Sequence, residues 1–131
     1  MNPLIIQGTD DTPTIHFDVT NAKFEIHGRS LPEEVINFYS PIIDWIENYA
    51  LNPNDITVLK LKLFYFNSAS QRYLLELLNS FEKIVEKGKE VIVEWHYHED
   101  DDEMKESGEE YQDLVKIPFK LIAYKSQKEK N

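Results

Sequence analysis

The sequence predicts a single α/β domain in which two main helices and a short third helix cover a mixed β-sheet. Three observations carry that prediction. Segments of alternating apolar residues, such as Thr14–Val19, Lys23–His27 and Leu59–Phe66, are interleaved with segments of helical spacing. The chain of 131 residues fits one domain and is long enough to bury a core. Hydrophobic residues make up 41%, so a packed fold is expected over all of 1–131, with neither an internal repeat nor a domain boundary.

Each element has its own signal. Residues 5–13 are turn-rich and fit an arm or short edge element. The strands at 14–19 and 23–27 are separated by Asn21-Ala22, a step that can close a hairpin. Ser30 and Glu33 have the spacing of a capping box, and Pro32 fits a first helical turn. Val35, Phe38, Tyr39, Ile42, Ile46 and Tyr49 follow at helical spacing, with Ile43 and Trp45 widening the apolar face and Pro41 set to kink it. Asn52-Pro53-Asn54-Asp55 is a loop. A long strand then runs from Ile56 to the Asn67-Ser68 junction and passes straight into a helix. That helix buries Leu74, Leu77, Leu78, Phe81 and Val85, and it stops at Lys87-Gly88. Glu90–His98 is a strand, 99–106 an acidic loop, Ser107–Val115 a short helix and Ile117–Tyr124 the last strand. Residues 125–131 form a polar tail expected to fray.

Composition excludes several function classes. The net charge of −10 disfavours nucleic acid, and it is concentrated: between Glu99 and Asp113, nine acids face only Lys105, giving −8. Basic protein surfaces would be drawn to this segment. Cysteine is absent, which removes disulfides and thiolate chemistry. No stretch approaches the roughly 20 apolar residues of a membrane span, and the N-terminus lacks the pattern of a signal peptide. A cytoplasmic protein that touches neither membrane nor nucleic acid is expected.

No Gly-rich phosphate loop, nucleophile elbow or metalloprotease motif occurs, so no catalytic residue and no cofactor are assigned. His96 and His98 stand two apart on a strand, hence on one face, ahead of carboxylates; a small metal- or ligand-binding protein is therefore one alternative. An acidic adaptor using Glu99–Asp113 is another. The junction Asn67-Ser68-Ala69-Ser70-Gln71 is the most informative stretch. Ser68 and Gln71 have capping-box spacing, and a helix N-terminus favours negative charge. A plain cap and a phosphorylated serine both fit there.

The chain resembles the SiaC-like regulatory phosphoprotein family of bacteria, small proteins similar in fold to STAS domains and anti-sigma-factor antagonists. The likeness is carried by Gly8-Thr9 with Thr12-Pro13, Gly28-Arg29-Ser30-Leu31-Pro32-Glu33, Ile43-Asp44-Trp45-Ile46-Glu47, Phe64-Tyr65-Phe66-Asn67-Ser68-Ala69-Ser70, Trp95-His96-Tyr97 and Gly108-Glu109-Glu110-Tyr111. In that family the hydroxyl residue after the strand's Asn is the regulatory phosphorylation site, which is Ser68 here. The family site is often threonine followed by two hydroxyl residues; here Ala69 and Ser70 follow, which makes Ser70 the second choice. The resemblance implies a non-enzymatic partner switch. A serine/threonine kinase with a histidine-kinase-like ATP-binding fold would modify Ser68, and a PP2C-type phosphatase would reverse it. The unphosphorylated form would regulate a partner such as a diguanylate cyclase. Asn67, Ser68, Ser70, Gln71 and Tyr73, joined by Arg29 and Ser30 if both helices start at one edge, would form the partner surface.

Overall fold

A computed structural model of the chain describes residues 1–125. Its elements in chain order are β1 (Leu4–Ile6), β2 (Thr14–Asp18), β3 (Lys23–Ser30), α1 (Val35–Tyr49), β4 (Ile56–Phe66), α2 (Ser68–Glu86), β5 (Glu90–His98), α3 (Asp102–Leu114) and β6 (Phe119–Tyr124). One six-stranded sheet holds them in the order β1-β2-β3-β4-β5-β6. The first three strands are antiparallel and the last four are mutually parallel. Because each parallel strand lies beside its predecessor, right-handed crossovers put α1, α2 and α3 on the same face.

Strand alternation sorts the residues accordingly. Ile15, Phe17, Phe24, Ile26, Leu59, Leu61, Val91, Val93 and Trp95 are buried beneath the helices. Tyr39, Ile42 and Ile46 of α1 and Leu74, Leu77, Leu78 and Phe81 of α2 complete that core. The opposite face carries His16, Glu25, His27, Lys60, Lys62, Glu94 and His96, partly or largely exposed. The predicted sandwich is thus two layers, with helices over one face only.

Several expected boundaries move, each for a local reason. Ser30 does not cap α1: it is the last residue of β3, and Glu34 occupies the cap position without a side-chain bond. Its hydroxyl is bonded inside the protein instead. Ser68 does not cap α2, since Asn67 does so by accepting the Ser70 amide at 2.9 Å. The acidic loop 99–106 is mostly helix. Asp101 accepts the Met104 amide at 3.0 Å, and Asp102 and Glu103 fill the first turn, where the helix dipole favours carboxylates. Met104, Gly108 and Tyr111 give α3 a buried face. Val85 lies 46% exposed, and Ile84 takes the buried place at the end of α2. Helix α1 continues through Pro41, which lies on its exposed side. The expected tail begins at Lys125, and its residues 126–131 lie outside the described ones.

Candidate functional site

The parallel strands β3 and β4 end side by side, and their ends build the candidate site. The pairing Gly28↔Leu63 is followed by Arg29↔Tyr65, so Phe64 is an extra residue, a bulge in β4. The bulge resets the alternation. Phe64 and Tyr65 are left 52% and 46% exposed, while Phe66 turns inward to within 6.2 Å of Trp95 and 6.3 Å of Tyr111, ring to ring. Gly28 permits the distortion on the neighbouring strand, with φ of +120°. Arg29 lies 5.5 Å from the centre of the Tyr65 ring, a cation–π contact.

The strand ends are then locked together. The Asn67 amide donates to the Ser30 carbonyl at 3.1 Å, and the Ser30 hydroxyl donates to Ser70 Oγ at 2.8 Å. With its proton committed to Ser70, Ser30 accepts from the Tyr39 hydroxyl of α1. The Tyr39 ring stacks on Tyr73 at 6.3 Å and 12°. Ser30, Tyr39 and Ser70 are each fully buried. The two helix-leading segments therefore do meet at one edge, and Arg29 is exposed there, but Ser30 and Ser70, expected on the partner surface, are buried and bonded to each other, out of a partner's reach.

Ser68 has the opposite environment. It is the first residue of α2, exposed, and it lines an open cleft of about 220 Å³. One wall is the end of β4 and the start of α2, through Tyr65, Asn67, Ser68 and Gln71; the other is the start of α3, through Asp101, Glu103 and Ser107. Helix α3 is held in place by two bonds. Tyr111 donates its hydroxyl to the Gln71 carbonyl at 2.7 Å, and Trp95 Nε1 donates to the Met104 carbonyl at 3.0 Å. Sequence reasoning located the α2 side of this cleft but missed Phe64 and Tyr65, and it took Asp101 and Glu103 as part of a separate acidic segment rather than as the facing wall. The available signal for the first pair was three successive aromatics, Phe64-Tyr65-Phe66, which break the period of two that precedes them.

Burial raises the pKa of the Tyr39 hydroxyl, against a smaller opposing effect of its hydrogen bond to Ser30 and of the nearby Ser70 hydroxyl. Tyr111 is raised further, again by burial first, with the charges of Tyr39 and Glu110 acting the same way. Both hydroxyls must stay protonated to donate. A folded-state pKa above the unfolded one gives stability that is complete below about pH 10 and is lost as pH climbs through the folded values. Denaturant midpoints should therefore fall above about pH 10, and less steeply in Tyr39→Phe.

His96 and His98 do not line this cleft. His96 Nε2 is 3.1 Å from Glu94, and His98 Nδ1 accepts the Asp100 amide at 3.1 Å. Among the described residues no group of three His, Cys, Asp or Glu side chains converges as a metal site would require. The same residues include no helix long and apolar enough to cross a membrane.

Comparison with known proteins agrees with this architecture. An uncharacterised protein of Pseudomonas aeruginosa is 29% identical over 124 residues, covering 95% of this chain and 98% of its own. The crystal structure of apo-SiaC from Pseudomonas aeruginosa superposes with a TM-score of 0.84 at 30% identity, covering 94% of this chain and all of that one. A chain from the crystal structure of the diguanylate cyclase SiaD in complex with its activator SiaC, also from Pseudomonas aeruginosa, gives 0.85 at 29% identity, with 92% and 99% covered. The sequence profile of the SiaC family regulatory phosphoproteins matches residues 6–124, and the chain belongs to that family.

Proposed function

We propose that this protein is a partner switch set by reversible phosphorylation of Ser68, its unphosphorylated form binding and activating a diguanylate cyclase. The family is regulatory rather than catalytic, and the chain is not an enzyme. The observation that carries the choice of residue is the contrast within one helical turn. Ser68 is exposed on a cleft, whereas Ser70 is buried and bonded to Ser30. A kinase with a histidine-kinase-like ATP-binding fold transfers the γ-phosphoryl of ATP to Ser68 Oγ, releasing ADP and a proton. A PP2C-type phosphatase returns the serine and inorganic phosphate by hydrolysis.

The added group brings about −1.5 to −2 charge to a cleft already walled by Asp101 and Glu103. A helix N-terminus tolerates that charge, so the fold survives and the change falls on whatever docks there. Asn67, Ser68, Gln71, Tyr73 and Arg29 form the partner surface, extended by the exposed rings of Phe64 and Tyr65, a type of side chain enriched at protein interfaces. Ser30 and Ser70 act beneath it by fixing the strand ends.

The test is phosphopeptide mapping of the protein isolated from its own cells, paired with a pull-down comparing wild type and Ser68→Asp. A phosphate on Ser68 and loss of the cyclase from the mimic are expected. An unmodified Ser68 across growth conditions, with unchanged partners, would reduce it to a first-turn serine with no switching role.

A further inference from the structure

The chain contains twelve lysines but only two arginines, Arg29 at the end of β3 and Arg72 in the second turn of α2. Arg29 pairs with Tyr65, two residues before Asn67. Arg72 follows Ser68 by four residues within α2, and both are exposed. Residues four apart share a helix face, and side chains lean toward the N-terminus, so the Arg72 side chain is long enough to reach a group on Ser68. Neither arginine has a carboxylate within 4 Å among the described residues, whose ion pairs are those of Lys83, Lys89, His96 and His98.

We propose that Arg72 is the internal receptor for a phosphate on Ser68, an inference that rests on Ser68 being the modified residue. The free amides at the start of α2 favour the negative charge, and neighbouring side chains set which way it turns. Direction comes from two sides. Asp101 and Glu103 line the same cleft as Ser68 and repel a dianion, driving it away from α3. Arg72 lies along α2 and offers a planar fork that matches two phosphate oxygens, which a lysine does not. In the unmodified protein Arg72 is then an unpaired cation available to a partner. In the modified protein it is occupied, so the switch withdraws a cation as it adds an anion.

The experiment places phosphoserine at position 68 by genetic encoding and follows its second ionisation by phosphorus NMR, ordinarily near about pH 6. The expected result is a titration in wild type that lies below the same titration in Arg72→Gln by roughly half a unit or more. Arg29→Gln should move it less, and all three proteins should keep wild-type circular dichroism, since both arginines are exposed. Superimposable curves for wild type and Arg72→Gln would overturn the assignment, as would a larger shift from Arg29→Gln. Encoding the phosphate makes the outcome independent of any kinase. Failure here is thereby separated from failure to find Ser68 modified in cells, which bears on the switch itself.

Discussion

Ser70→Asp should destabilise the protein by about 3–5 kcal/mol, whereas Ser68→Asp should stay within about 1 kcal/mol of wild type. The two serines are separated by a single residue, so propensity and sequence context barely differ. Their surroundings decide the result. Ser70 Oγ has no solvent exposure and accepts from Ser30, which in turn accepts from Tyr39. A carboxylate there must be buried without a cation beside it. It also displaces a hydroxyl from a packed junction between β3, α1 and α2, and the unpaired charge dominates the cost. At Ser68 the carboxylate stays in water, and the amide end of α2 offsets part of its repulsion by Asp101 and Glu103. Urea unfolding of the two variants beside wild type measures the difference. Equal midpoints would mean that the Ser30–Tyr39–Ser70 contact does not close in solution. The contrast also bears on the proposed function: loss of a partner in Ser70→Asp would report unfolding, while loss in a stably folded Ser68→Asp would report the interface.

Much of this fold is legible in the sequence alone. Period-two runs placed β2 to β5, and the spacing of Leu74, Leu77, Leu78 and Phe81 placed the buried face of α2. Passage from Phe66 into α2 without Gly or Pro marked Asn67-Ser68 as a strand-to-helix junction. What stayed illegible depends on tertiary contacts. Ser30 has capping-box spacing with Glu33, yet the pairing of β3 with β4 keeps it in the sheet and its hydroxyl goes to Ser70, forty residues away. The acidic run reads as solvated loop because charge dominates its composition. It is helical because Met104, Gly108 and Tyr111 dock on the sheet. The division between Ser68 and Ser70 was likewise out of reach, since a hydroxyl's burial depends on which strand end lies beside it. The resemblance to the family points to Ser68, and the exposure of Ser68 beside a buried Ser70 is a separate physical argument for the same choice.

Gly108→Ala is expected to cost about 1–3 kcal/mol and to weaken the proposed binding of a cyclase, although Gly108 is buried behind the cleft wall. An isolated helix would gain about 1 kcal/mol from this change, so the sign of the effect is diagnostic. A Cβ at this position would lie 2.5 Å from Trp95 Cδ1, 2.7 Å from Trp95 Nε1 and 2.8 Å from Leu121 Cδ2. The indole cannot easily yield, because it is buried, packs against Tyr111 and donates to the Met104 carbonyl. Helix α3 has to move instead. Its displacement strains the bond from Tyr111 to Gln71 and shifts Asp101 and Glu103, the wall opposite Ser68. Thermal unfolding and a cyclase-binding titration on the same sample check both halves. A variant more stable than wild type would show that α3 is not seated on Trp95. A less stable variant with undiminished affinity would confine the partner surface to β4 and α2, leaving the acidic helix as packing alone. Loss of both would make the close approach of α3 to the sheet a requirement of the interface, imposed through a residue that carries no side chain.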